Sequence, residues 1–455
     1  SPLRWEEGIW HSVKHLLLIG DAEKIRPNLG MNEGLHVLTA EKPKANVVGT
    51  DLYYAIVQDK DDFFPDLSYG RLPVDTLQQA DDVVDKIIAY ETTAAGAAFR
   101  ESFAVAGAFY DRQKFKPEDQ DGTLDGTMSF VRGSGEVTGE STRFRDDVEA
   151  GDWIRIWGAG AALVEVDRIV DRTHLRLASP WPNPDASGTY EVWRLDGKDS
   201  GVFMNTAERV RSYLVDSLGY AADYHYTVDW FRSDPQKFND GGWLPPELRR
   251  PTYAWDADMW DIMGELNSGD NLFILHRDHA EFFGWGDPPL KAWDVAAHAT
   301  SASDLLPVMF SINCASGYFD NEYDYWRVRQ PDGTVTQQPI DPASGGGWSD
   351  VASVKLAEAL IRQPNGGAIG VIAATRLSYS WFNDVLTDGI ISFMYPGYAG
   401  MESGLTILSS SQYLGDILNG AKTYAASRFD DPDWVQYYME MFHIIGDPTL
   451  KVKIR

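Results

Sequence analysis

The chain has 455 residues, 44% hydrophobic and 24% charged, the make-up of a globular protein with room for two to three domains. A net charge of -28 argues against a nucleic-acid partner, whose phosphates demand Lys and Arg patches, and suits a secreted or salt-exposed setting. No apolar run approaches the roughly 20 residues that span a bilayer. A single cysteine, Cys314, rules out an intrachain disulfide.

The sequence opens on Ser1 with no initiator Met and no basic-then-apolar leader, which reads as a mature or trimmed product. HLLLIGD (15–21) predicts a buried strand stopped by Gly20-Asp21. TDLYYAIV and DLSYGRLPVD follow as strand-like pieces, and TLQQADDVVDKIIAYE (76–91) has mostly helical spacing. FAVAGAF (103–109) is a second buried strand. Residues 112–200 then change texture: DWIRIW, VEVDRIV, HLRLA and TYEVWRL alternate between Gly- and Pro-rich turns, the pattern of a small all-β module.

From 201 to 455 apolar strands alternate with amphipathic helices. NTAERVRSYLVDSLGY (205–220) carries a capping-box-like start at Asn205 and Glu208. YHYTVDWF, NLFILHRDH, PVMFSINC and GGAIGVIAATR read as strands, WDADMWDIMGELNSG and ASVKLAEALIR as helices. The fold class is therefore α/β: a mainly parallel sheet with helices on both faces, split into 1–111 and 201–455 by the inserted module at 112–200. Ligands on such sheets bind at the carboxyl ends of the strands, where His279 and Cys314 fall.

Several motifs carry no chemistry. GDILNGAKT (415–423) has one residue too many before its lysine for a phosphate loop and lies in a helical pattern, while GAGAAL (158–163) lacks a third glycine. GKDSGV (197–202) lacks the glycines that flank a serine nucleophile, and no G-x-S-x-G occurs. HRDH (276–279) offers two histidines, but on an extended strand Ile274, His276 and Asp278 share one face and Leu275, Arg277 and His279 the other. Diverging imidazoles disfavour a shared metal ion.

Cysteine and histidine at neighbouring strand ends suit acyl transfer. A thiol attacks as thiolate, an imidazole takes its proton and returns it to the leaving amine, and N–H groups of small-residue turns hold the oxyanion. Cys314-Ala315-Ser316-Gly317 and His279-Ala280 are such turns. A buried packing cysteine and a core or surface histidine are the competing readings of the same residues.

At these residues the sequence resembles the gingipain-type cysteine peptidases, a family of caspase-like fold. The motifs run in order along almost the whole chain outside the module: LLLIGD, TDLYYA, SYGRLPV, LFILHRDHAEFFGWGDP, SINCASG followed by KLAEAL, IGVIAATRLSYSW and FHIIGDPTLKV. The resemblance implies a cysteine endopeptidase with Cys314 as nucleophile and His279 as general base and acid. The N–H groups of Ala280 and Cys314 would hold the oxyanion, and Trp381 would wall the primary specificity pocket. Ala280 stands where the family has glycine. Asp111 falls near the position of an acid that orients the histidine, and is the candidate for that role. Arg-specific members also hold a pocket acid where this chain has Gly201-Val202-Phe203-Met204, with Asp199 nearby, which implies a less polar pocket bordered by Phe203 and Met204.

Gingipains bind calcium, and Asp119, Asp121 and Asp125 in EDQDGTLDG offer hard oxygen ligands for a structural ion; DNEYD (320–324) is a second acidic cluster. The competing reading of each is a solvated acidic loop. No cofactor is required for the chemistry. The expected partners are protein or peptide substrates, with no nucleic acid and no membrane span, and the expected setting is extracellular. Two further readings share the fold: a sortase-like transpeptidase, since an amine also resolves an acyl-enzyme, and a non-catalytic binding or scaffold protein.

Overall fold

A computed structural model describes residues 3–6, 9–22, 24–29, 48–57, 63–114, 124–156, 163–320, 325–329, 335–339, 354–400 and 410–455. The chain divides into two compact units, one formed by residues 1–108, 202–227 and 255–455 and the other by 109–201 and 228–254.

The first unit is built on an eight-stranded sheet. Its strands are β1 (His15–Ile19), β2 (Ser68–Leu72), β3 (Ser102–Phe109), β4 (Ala221–Val228), β5 (Phe273–Arg277), β6 (Val308–Ser311), β7 (Gly370–Ala374) and β8 (Phe442–Gly446). Their order across the sheet is β4-β3-β5-β6-β7-β8-β2-β1. The pairs β3/β5, β5/β6, β6/β7, β8/β2 and β2/β1 are parallel, and β7/β8 is the antiparallel junction. Strands β3, β5, β6 and β7 are buried nearly throughout, which is why they read as continuous apolar runs instead of alternating ones. The mainly parallel sheet with flanking helices is the architecture expected from the sequence.

The helices that matter for the site are α1 (Leu77–Thr92), α2 (Phe203–Ser212), α3 (Met259–Ser268), α4 (Leu356–Arg362), α5 (Ser380–Met394), α6 (Leu414–Ala426) and α7 (Pro432–Met441). Thr76 caps α1, its hydroxyl accepting from Gln79 N; Asp258 starts α3 with a full capping box completed by Asp261, and Gly269 ends the helix at φ 72°. The rejected phosphate loop is the interior of α6. Helix α2 begins at Phe203, two residues before the expected Asn205 cap. Asn205 accepts instead from Arg209 Nη1 at 2.9 Å, and the buried Glu208 is held by Arg211 at 2.6–2.7 Å and by the Tyr226 hydroxyl at 2.5 Å. A carboxylate so engaged is not free to cap.

Several buried arginines in this unit are paired with carboxylates. Arg71, fully buried, donates to both oxygens of Asp51 at 2.7 and 2.6 Å and to Gly20 O at 2.7 Å. His443 Nε2 accepts from Asp51 N at 3.0 Å, which ties the same carboxylate's residue to β8.

The second unit is an antiparallel eight-stranded sheet running Ala186–Gly188, Thr127–Phe130, Glu136–Glu140, His174–Leu177, Val164–Ile169, Trp153–Ile156, Tyr190–Leu195, Arg112–Lys114. Met128, Phe130, Val137, Ile154, Leu175, Trp181 and Val192 form its core, with Trp181 stacked on Phe130 at 4.3 Å. The all-β reading of this stretch therefore holds, but its limits differ: residues 228–254 return to it. They do so through side chains that no local pattern marks, with Trp230 edge-on to Trp153 at 4.2 Å, Asp229 3.5 Å from Arg112, and the Ser233 hydroxyl donating to Asp111 at 2.6 Å.

Removing one member of the Arg71–Asp51 pair leaves a buried charge unanswered. Asp51→Asn is expected to cost about 3–5 kcal/mol in denaturant unfolding, and a loss below about 1 kcal/mol would contradict the burial of the pair.

Candidate active site

Parallel strands bring their carboxyl ends to one edge of the sheet. His276 of β5 lies opposite Ser311 of β6, and Ser311 lies opposite Ala373 of β7. His279, Cys314 and the loop 375–379 leave three adjacent strands on that same edge. The Cys314 thiol is half-buried against this loop, donating to Ser378 O at 3.3 Å and accepting from Ser378 N at 3.4 Å.

The turn that carries Cys314 is pinned from both sides. Ile312 N donates to His276 O, Ala315 N to Arg376 O at 2.8 Å and Gly317 N to Ala374 O at 2.8 Å. Gly317 lies so close to β7 that a Cβ there would sit 2.8 Å from the Ala373 Cβ. Ala315, directly after the cysteine, takes φ 50°, a left-handed conformation that costs a non-glycine residue about 1–2 kcal/mol. The surrounding bonds hold that strain next to the thiol. Arg376 is itself fixed by a bidentate pair with Asp320, at 2.8 and 2.6 Å. Among the described residues, the Cys314 N–H has no backbone acceptor.

His279 opens a small antiparallel sheet made of Ala280–Glu281, Gly284–Trp285 and Leu290–Lys291. Gly286 N donates to His279 O at 2.9 Å and Ala280 lies opposite Trp285. These two residues therefore form the pair type that exchanges no ladder bonds, and the Ala280 N–H is turned out of the hairpin. Phe203, at the start of α2, meets the His279 ring edge-on at 5.1 Å. Beneath it Arg277 is fully buried, donates to Ile312 O at 2.6 Å and pairs with Asp384 of α5.

The two histidines of HRDH diverge as an extended strand requires. His279 is exposed at one edge, whereas His276 is fully buried and stacked on Trp285 at 4.0 Å and 6°. Burial pushes the His276 imidazole down to about 3, so it is neutral. Burial also lowers His279, with Asp287 opposing the shift and Arg277 adding to it. The Cys314 thiol is pushed up by burial, against the lowering effect of its bonds to Ser378 and of the Arg277 charge. The Cys314 thiol and the His279 imidazole are thus both neutral near pH 7.

The other residues singled out from sequence fall into place differently. Trp381, at the start of α5, is 45% exposed and packs edge-on against Phe429 at 4.8 Å and Trp434 at 5.6 Å. Phe203 is only 4% exposed and Met204 is fully buried against Gly107, so Met204 belongs to the core and Phe203 to the support of His279, not to the wall of an open pocket. Asp111 lies in the β-rich unit, where its buried carboxylate accepts from the Ser233 hydroxyl and from Asp234 N at 3.2 Å. Asp125 sits 3.5 Å from Arg143, a protein cation that already answers its charge; Asp119, Asp121 and residues 321–324 lie outside the described residues. Sequence reasoning missed Ser378, Arg277 and the Asp384 that neutralises it. An arginine inside an otherwise apolar strand was the only signal available for that ion pair.

A sequence profile of peptidase family C25 matches residues 4–146 and 184–453. The chain belongs to peptidase family C25. Two solved structures share its fold: "Crystal structure of the Arg specific cysteine proteinase gingipain R (RGPB)", TM-score 0.51 and 13% identity, and "Complex of Porphyromonas gingivalis RgpB pro- and mature domains", TM-score 0.51 and 12% identity. Each alignment covers 96% of this chain, and the chain spans 64% and 65% of those two proteins. A search of curated protein sequences gives no match. The family match covers the strands and turns of both Cys314 and His279.

The neutrality of His276 has a pH signature. Below about pH 6.5 the unfolded chain binds a proton there that the folded chain refuses until about pH 3, so this group draws stability down as pH falls through that window. The unfolding free energy of wild type minus that of His276→Gln should therefore shrink by about 1.4 kcal/mol per pH unit below pH 6.5. A difference independent of pH would mean that His276 is protonated in the folded chain.

Proposed function

We propose that this member of peptidase family C25 is a cysteine endopeptidase. The observation that supports this best is the placement of Cys314 on a strained turn, at the strand end next to the one that carries His279. In this reading a peptide carbonyl enters beside Cys314, and His279 removes the thiol proton as sulfur attacks. The oxyanion is received by the N–H groups of Cys314 and Ala280, the first of them without a backbone acceptor and the second turned out of its hairpin. His279 then protonates the leaving amine, and the thioester is hydrolysed by a water that His279 deprotonates.

A neutral resting pair makes proton transfer part of the attack, since burial opposes a preformed thiolate more strongly than the Ser378 bonds and the Arg277 charge favour one. Trp381 offers an aromatic wall beside the thiol loop, and the α5 acids Asp384 and Asp388 are answered by Arg277 and Arg209. This supports a pocket less polar than one built for arginine. An extracellular or cell-surface setting accords with the net charge of -28. Among the described residues no helix is long and apolar enough to cross a membrane.

Cys314→Ala should abolish both peptide hydrolysis and labelling by a thiol-directed peptide probe while leaving the thermal midpoint near that of wild type. Retained cleavage would sink the assignment. The rate of Cys314 alkylation by iodoacetamide should climb from pH 7 to 10 without levelling near neutrality. A plateau already present at pH 7 would instead reveal a thiolate–imidazolium pair.

A further inference from the structure

Beneath the two candidate catalytic segments lies a cluster of five fully or almost fully buried, uncharged polar side chains: His276, Trp285, Ser311, Asn313 and Ser316. Their hydrogen bonds can be assigned so that every donor meets an acceptor. Trp285 Nε1 donates to Ser311 Oγ at 2.7 Å, and the Ser311 hydroxyl reaches Ser316 Oγ at 2.8 Å. Ser316 donates to Asn313 Oδ1 at 2.5 Å, and Asn313 Nδ2 returns to Ser311 Oγ at 2.9 Å, closing a ring of three residues. The second Asn313 hydrogen goes to His276 Nδ1 at 2.7 Å, which leaves His276 Nε2 to carry the proton and face Asp287 O at 3.3 Å. Each polar atom of the cluster is used, and the Ser311 hydroxyl also lies 3.3 Å from Asn313 Oδ1 as a second acceptor within the ring.

The cluster joins parts that the backbone leaves separate. Asn313 immediately precedes Cys314, and Ser316 lies two residues after it. Trp285 lies directly opposite Ala280, the residue after His279, and His276 ends the apolar part of β5. The two turns are thus joined through buried side chains on this face of the sheet, in addition to strand pairing and the Arg277 bond to Ile312 O on the other. We propose that His276, Asn313 and Trp285 are positioning residues: the ring centred on Ser311 locks the Cys314 turn to the His279 hairpin. The proposal rests on the peptidase reading of Cys314 and His279. It adds that the first histidine of HRDH, His276, is a strut for the second, His279.

Trp285→Phe tests it, because an aromatic ring remains against His276 while the N–H to Ser311 is lost along with part of the buried indole volume, and Ser311→Ala removes the same bond with the indole intact. Misplacement by about 1 Å lowers a reaction rate by about 100-fold, so kcat should fall by about 10- to 100-fold with KM within about twofold. Ser311→Ala should lower kcat similarly, and the double variant should be no worse than either single one. The same variants are followed by the pH profile of Cys314 alkylation with iodoacetamide, using His279→Ala as the reference for a thiol without its base. The Trp285→Phe profile should move toward that reference. An unchanged kcat and an unchanged alkylation profile, with only the thermal midpoint lowered, would overturn the proposal and leave the cluster a packing element. If wild type shows no Cys314-dependent cleavage, the peptidase reading fails, and the alkylation profile alone decides the positioning claim.

Discussion

The parallel pairing of β5 with β6, in a register that sets His276 opposite Ser311, is the constraint on which the site depends. Parallel neighbours end on the same edge, so a histidine two residues past one strand and a cysteine three residues past the next are brought together without any long-range loop. A one-residue slip would exchange the faces of β5, burying His279 and turning His276 outward. The register is secured by side chains of opposite character on the two faces. Arg277 is tied to Ile312 O and Asp384 on one face, and the Ser311–Ser316–Asn313 ring lies on the other.

Charge is handled by close pairing inside and by excess outside. The chain carries -28 overall, yet Arg71, Arg277 and Arg376 are each buried with a dedicated carboxylate: Asp51, Asp384 and Asp320. Such pairs are weak contributors to net stability, because desolvation offsets most of their attraction, but they strongly oppose any rearrangement that parts them. Arg376 shows the consequence for chemistry. Its guanidinium is fixed by Asp320, and its carbonyl accepts the N–H of Ala315, so the strained residue after Cys314 is anchored through an ion pair.

Much of this was legible in the chain itself. The apolar runs of β3, β5, β6 and β7 announced a buried parallel sheet, and strand alternation assigned His276 and His279 to opposite faces, as their burial bears out. The all-β texture after Tyr110 also read correctly. Its outer limit did not, because 228–254 joins that unit through Trp230, Asp229 and Ser233, single side chains without a periodic signature. The Asn205 cap failed for a related reason: Glu208 found Arg211 and Tyr226, and tertiary bonds to a buried carboxylate outweigh a local cap.

The sequence by itself determined the strand order of events along the chain, the face on which each histidine lies and the small-residue turn around Cys314, because period and residue size act over a few neighbours. Only the tertiary structure decided that Met204 belongs to the core, that Phe203 supports His279, that Ser378 receives the thiol, and that Trp285 and Asn313 meet at Ser311. Apart from the local bond between Asn313 and Ser311, those contacts join segments tens of residues apart. Their partners are chosen by which strand ends share an edge, and no local pattern records that choice.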